Sequence, residues 1–174
     1  MSISKNEQAL ACAEDAEKTF EAVLQTLLPA NHKLELNTKT RMLNLLSTAS
    51  PHLVAQQQFT KNEWSILLTL LLSYPHYASF EVLLASLTLL SPADCRQRLY
   101  AAQLSGGQAV KRELKPVHRA LSGIRIKFRH VCPQLKISLI RETGYAVTTA
   151  EEGRFSLEEW ELVPSEMGSE YHAK

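Results

Sequence analysis

Apolar residues recur along the chain with two different periods. From residue 7 to residue 28, Leu10, Ala13, Ala16, Phe20, Val23, Leu24, Leu27 and Leu28 return at three- and four-residue steps with charges between them. That is the signature of an amphipathic helix, and Pro29 ends it. The period then drops to two: Leu34 and Leu36 alternate with polar neighbours, and Asn37-Thr38 offers a turn before the apolar run at 42–46. This predicts a short hairpin, with a helix as the rival because TKTRMLNLL also contains good helix formers. Ser50-Pro51 breaks the run, and a short extended piece continues through Leu53 and Val54.

At Thr60 the helical period returns. Thr60 followed three residues later by Glu63 is a capping box, in which hydroxyl and carboxylate each satisfy an orphan amide of the first turn. The helix it opens is apolar at Trp64, Ile66, Leu67, Leu68, Leu70, Leu71 and Leu72, which predicts burial, and Tyr74-Pro75 stops it. Ser79 caps a second helix from Phe80 to about Leu90. Ser91-Pro92 ends or kinks that helix, and ADCRQRLYAAQ has the composition of a further helical piece before a flexible Ser105-Gly106-Gly107. A third core helix begins near Lys115-Pro116, since proline is well tolerated in a first turn. Its stripe is Val117, Leu121, Ile124, Phe128 and Val131, and His118, Ser122, Arg125 and Arg129 share the opposite face. After Cys132-Pro133, two β-prone runs at 135–140 and 145–149 flank Arg141-Glu142-Thr143-Gly144, a hairpin turn whose glycine is expected to take a positive φ.

Charge changes the picture once it is divided along the chain. The formal net charge is +1, yet residues 1–30 carry −3 and residues 150–174 carry −5, which leaves +9 in the middle. Between 111 and 136 there are eight cations (Lys111, Arg112, Lys115, Arg119, Arg125, Lys127, Arg129 and Lys136) against the single acid Glu113. Clustered cations point to a polyanion, because neutralising phosphates releases counterions.

Other chemistries find little support. The 174 residues suffice for one main domain with extensions. Cys12, Cys95 and Cys132 are far apart and lack metal-ligand spacing, so neither a disulfide framework nor a metal site is expected. His118 has no neighbouring nucleophile or carboxylate to complete a catalytic set, and Ser105-Gly106-Gly107 lacks the Lys-Ser/Thr of a phosphate-cradling loop. The expectation is therefore a non-enzyme without cofactors. The N-terminus has acids where a leader needs a basic and then an apolar run, and no 18-residue apolar stretch occurs, so a cytoplasmic protein without membrane contact is expected.

The order hairpin, capped helix, second helix, connection, basic helix, hairpin resembles a winged helix-turn-helix, specifically the DNA-binding effector domain of OmpR/PhoB-type bacterial response regulators. LELNTKTRML is similar to that family's leading hairpin, FTKNEWSILLTLLLSYP to its first helix, VHRALSGIRIKF to its recognition helix and ISLIRETGYAV to its wing. The likeness covers residues 32 to 149. It implies an α+β, mainly α fold, with a C-terminal β-hairpin wing and an N-terminal helical extension. The domains it implies are the extension at 1–30, the DNA-binding domain at 31–150 and an acidic tail at 151–174.

Three features depart from the family's pattern. Glu142 stands where the wing has its first glycine. Gly123 takes an outward position of the recognition helix, costing about 1 kcal/mol of helix propensity. The connection at 91–114 is longer than the family's. No receiver domain is expected before the effector domain, and hence no phosphorylation control.

The resemblance implies a bacterial, nucleoid-associated transcription regulator that binds duplex DNA as a homodimer, with RNA polymerase or another regulator as further partners. Arg119, Ser122 and Arg125, with His118 beside them, would face the major groove. Lys115, Lys127 and Arg129 would meet phosphates, and Arg141 would act from the wing. The rival from another class is a winged-helix adaptor, in secretion, phage or polymerase-associated assemblies, that binds protein and no longer reads DNA sequence.

Overall fold

Leu34 faces Leu45 and Leu36 faces Leu43 across an antiparallel pair, β1(His32–Asn37) and β2(Met42–Ser47). All four leucines are buried, so alternation overrides the helix propensity of this segment. In the tight turn the Asn37 carboxamide oxygen accepts from the Thr40 amide at 3.0 Å, and Arg41 takes a φ of 54°. The extended piece expected after Pro51 is a full third strand, β3(Leu53–Gln58), paired antiparallel with β2. The computed structural model describes residues 31–149, apart from Pro51, together with Ala22, Val23, Gln25 and Leu28. Ala22, Val23 and Gln25 are helical, and Val23 and Leu28 pack on the core. The remainder of the expected 1–30 extension and the 151–174 tail lie outside the described residues.

The capping box forms as expected at the start of α1(Lys61–Ser73): the Glu63 amide donates to Thr60 Oγ1 at 3.3 Å, and the Thr60 amide donates to Glu63 Oε2 at 2.7 Å. Trp64, Ile66, Leu67, Leu70 and Leu71 are buried, whereas Leu72 is exposed. After the cis Tyr74-Pro75 bond comes a two-residue strand, β4(Ala78–Ser79), absent from the sequence reading because two residues carry no period. α2(Phe80–Leu87) stops short of the expected Leu90, and Thr88 Oγ1 donates back to the Leu84 carbonyl at 3.2 Å where the chain turns extended. The long connection is largely helical. α3(Pro92–Leu104) opens on a second capping box, Ser91 with Asp94, and α4(Gly107–Glu113) follows a break at Ser105 and Gly106. α3 packs on α2, and ion pairs tie Arg96 to Glu81 at 2.9 Å and Arg98 to Glu113 at 2.6 Å. Such exposed pairs contribute at most about 1 kcal/mol each; burial of Cys95 and Ala102 anchors the segment.

α5(Lys115–Val131) lays Val117, Leu121, Ile124, Phe128 and Val131 on the core, as its spacing predicts. It packs on α1, α2, β3 and the following hairpin, β5(Leu135–Ile140) with β6(Gly144–Thr149). β4 adds to β6, so the second sheet runs β4-β6-β5. The protein is thus α+β, with two small antiparallel sheets around a helical core. No helix among the described residues is long and apolar enough to cross a membrane.

Two glycine expectations need correction. The left-handed residue of the second hairpin is Glu142, with φ 59°, and not Gly144. Gly144 serves close approach: a Cβ there would overlap the Ala78 carbonyl and the Ser79 backbone. Nor does Gly123 point outward. It faces α1, where a Cβ would overlap the Glu63 carboxylate, so the glycine makes room for the cap of the neighbouring helix.

Candidate nucleic-acid interface

Packing of the hairpin decides which side chains of α5 reach solvent. Lys115, Arg119, Ser122, Ile126 and Arg129 are exposed, and their spacing of 4, 3, 4 and 3 places them on one face. The expected face of His118, Ser122, Arg125 and Arg129 is therefore displaced by part of a turn. β5 and β6 cover the side of the helix that carries His118 and Arg125, leaving both half-buried.

Arg125 is committed inside the fold. Its Nη2 and Nε donate to the Ile137 carbonyl at 2.9 and 3.3 Å, and its guanidinium lies over the Tyr145 ring, 5.5 Å from the centroid. Tyr145 is buried and meets Phe80 and His118 edge-on, with ring centroids 5.9 and 6.4 Å away. Arg125 thus pins the hairpin to the helix.

Burial lowers the His118 pKa below its usual value, and the Arg125 charge adds to the effect. A neutral imidazole is what this packing favours. The folded state resists the proton that the unfolded chain accepts near pH 6.5, so stability is full above that pH and falls as pH drops below it. The expected result is a urea midpoint lower at pH 5.5 than at pH 7.5, with the part of that difference due to this residue absent in His118→Gln. An undiminished difference in the variant rules His118 out as its source.

Lys127 is engaged as well, on the opposite flank. Its Nζ lies 2.6 Å from Glu63 Oε2 and 5.1 Å from the centroid of the Phe59 ring. Burial works to raise the Glu63 pKa, but the hydrogen bonds from Lys127 and Thr60 and the Lys127 charge outweigh it and hold the carboxylate below its ordinary range. Capping box, ion pair and Gly123 therefore form one junction between α1 and α5, and Lys127 is not available to a phosphate while it holds.

The remaining expected site residues are free to meet a ligand. Lys115, Arg119 and Arg129 are exposed on α5, Ser122 lies between them, and Arg141 is exposed in the hairpin turn. Glu142, next to Arg141, places a carboxylate in the same turn. The sequence reading left out one cation of this surface: Arg112, on α4, shares a cleft with Lys115 and Arg119. Its only sequence signal was membership of the cation cluster. Burial pushes the Cys132 thiol up to about 12, which removes it as a nucleophile at neutral pH.

Comparison with protein-family models, with curated proteins and with solved structures finds no match to this chain.

Proposed function

We propose that the protein is a winged helix-turn-helix that binds duplex DNA as a transcription regulator, of the kind the OmpR/PhoB-type resemblance implies. α5 would enter the major groove and the β5–β6 hairpin would serve as the wing. One observation carries the reading: the solvent face of α5 presents Lys115, Arg119, Ser122 and Arg129 beside a hairpin whose turn bears Arg141. Arg125 and Tyr145 lock that hairpin to the helix. A rigid helix with a rigid ribbon sets cations at fixed spacing, which is what phosphate contacts on a duplex require.

With Arg125 and Lys127 engaged internally, direct base reading falls to Arg119 and Ser122. One bidentate arginine discriminates by about 1 to 3 kcal/mol, so a single copy has modest sequence preference and a homodimer on paired half-sites doubles it. If Lys115, Arg129 and Arg141 each neutralise one phosphate, log K against log salt falls with a slope of about −3. Fluorescence anisotropy on labelled duplexes across a salt series measures that slope. Absence of salt-dependent binding removes the reading.

Glu142 gives a second check. A non-glycine residue in the left-handed region costs about 1 to 2 kcal/mol, while a glycine costs about 0.5 to 1 kcal/mol more in backbone entropy. Glu142→Gly is therefore expected to raise stability by about 0.5 kcal/mol and, by removing a carboxylate beside Arg141, to tighten duplex binding. Unchanged binding at equal salt places the turn away from the DNA.

The adaptor reading is favoured by a different observation. Ile126 interrupts the polar face of α5 at 56% exposure, and Leu139 and Ile140 stand exposed at 53% and 39% where β5 meets the turn. Apolar groups have little to do in a DNA groove beyond thymine methyls, whereas a protein partner buries them.

A further inference from the structure

Arg112 on α4 and Lys115 and Arg119 in the first turns of α5 line one cleft of about 350 Å³, together with Thr60, Asn62 and Glu63 at the start of α1. Among the described residues, none of the three cations has a hydrogen-bond or ion-pair partner. The nearby acids are already taken. Glu113 pairs with Arg98 at 2.6 Å, and Glu63 gives its Oε2 to Lys127 and to the Thr60 amide. The cleft therefore holds three uncompensated positive charges, since the one carboxylate on its wall is neutralised from behind by Lys127. Like charges gathered in a concavity repel one another and focus their field into it.

We propose that this cleft is a phosphate-binding site. Two guanidinium forks and one ammonium suit the oxygens of a tetrahedral phosphate, because Arg pairs phosphate oxygens bidentately while Lys acts as a point charge. The Asn62 carboxamide, on the same wall, supplies two further donors. The phosphate comes either from a DNA backbone, beside the groove that α5 would enter, or from a free phosphate ester. Only the first source rests on the proposed DNA-binding function. In both, Arg112 gives the long 91–114 connection a role: the added helices carry a cation to the start of α5.

The test uses the full chain with Arg112→Gln, and with Lys111→Gln as the control: Lys111 is also exposed on α4 but does not line the cleft. In one arm, a labelled duplex is titrated across a salt series, and Arg112→Gln is expected to reduce the magnitude of the log–log slope by about 0.9. In the other, inorganic phosphate replaces chloride at constant ionic strength. A rise in thermal midpoint is expected there, with apparent affinity about tenfold weaker in Arg112→Gln. A response in the duplex arm identifies the backbone as the source, and a response in the phosphate arm alone identifies a free ligand. Stabilisation by phosphate through Arg112 without any duplex binding keeps the site and removes the DNA reading. Normal duplex binding with Arg112→Gln and Lys111→Gln indistinguishable in both arms overturns the site and leaves the DNA reading standing.

Discussion

Replacing Gly144 with alanine is expected to lower the global stability by about 3 kcal/mol or more and to free the second hairpin from β4. The added Cβ meets the carbonyl of Ala78 and the backbone of Ser79. Backbone of a paired strand cannot swing aside as a side chain can, and overpacking of this kind costs about 1 to 3 kcal/mol even where neighbours relax. Relaxation here means giving up the Ala78–Tyr145 and Ser79–Gly144 pairings, and with them the 3.1 Å bond from the Phe80 amide to the Thr143 carbonyl. Urea unfolding measures the stability, and faster hydrogen exchange at the Phe80 amide reports detachment of β4. Gly107→Ala is the control, since a Cβ there meets nothing. Equal stability for the two variants means that β4 does not hold the hairpin in place. The consequence for function follows from the same contact: a hairpin that is no longer held beside α5 cannot fix the distance between Arg141 and the helix cations.

Periodic burial was readable from the sequence, and contacts between elements were not. The alternation of Leu34 and Leu36, the Thr60 capping box and the Val117 to Val131 stripe each depend on near neighbours in the chain, and each forms as expected. What the sequence could not show is which polar residues a neighbouring element covers. Arg125 looked like a groove-facing arginine because it repeats with His118, Ser122 and Arg129, yet it stands four residues after Leu121 and three before Phe128, at the margin of the apolar stripe, where β5 packs and its Ile137 carbonyl takes the guanidinium. Gly123 looked like a defect in a helix until the Glu63 carboxylate was found in the space a side chain would fill. Lys127 looked like one more phosphate contact until the same carboxylate proved to hold it, from a residue 64 positions away. Arg112 looked peripheral because the cleft that joins it to Lys115 and Arg119 depends on how α4 packs before α5. In each case the deciding partner lies on another element, where no local period records it.

That division of the cations predicts opposite phenotypes for two arginines six residues apart. Arg119→Ala is expected to leave the free energy of urea unfolding within about 0.5 kcal/mol of the parent, as exposed substitutions do. Its duplex affinity should nevertheless fall about tenfold or more, since an arginine that pairs a guanine or a phosphate is worth about 1 to 3 kcal/mol. Arg125→Ala should do the reverse. Removing the guanidinium deprives the Ile137 carbonyl of its donor and Tyr145 of its stacking partner. A hydrogen bond from a charged group is worth about 1.5 to 3 kcal/mol, and for this half-buried residue solvent screening reduces the loss to about 1 to 2 kcal/mol. Any loss of binding in Arg125→Ala should then be general, appearing equally on cognate and random duplexes, because it arises from a loosened wing and not from a lost base contact. Arg125→Lys sharpens the distinction: it keeps the charge and hence the salt slope, but cannot span to the Ile137 carbonyl with a fork, so stability falls while the electrostatic part of binding stays. Should Arg125→Ala abolish discrimination between cognate and random DNA while Arg119→Ala does not, the guanidinium must leave the Ile137 carbonyl on binding. The helix would then read bases through the face that the hairpin covers in the free protein.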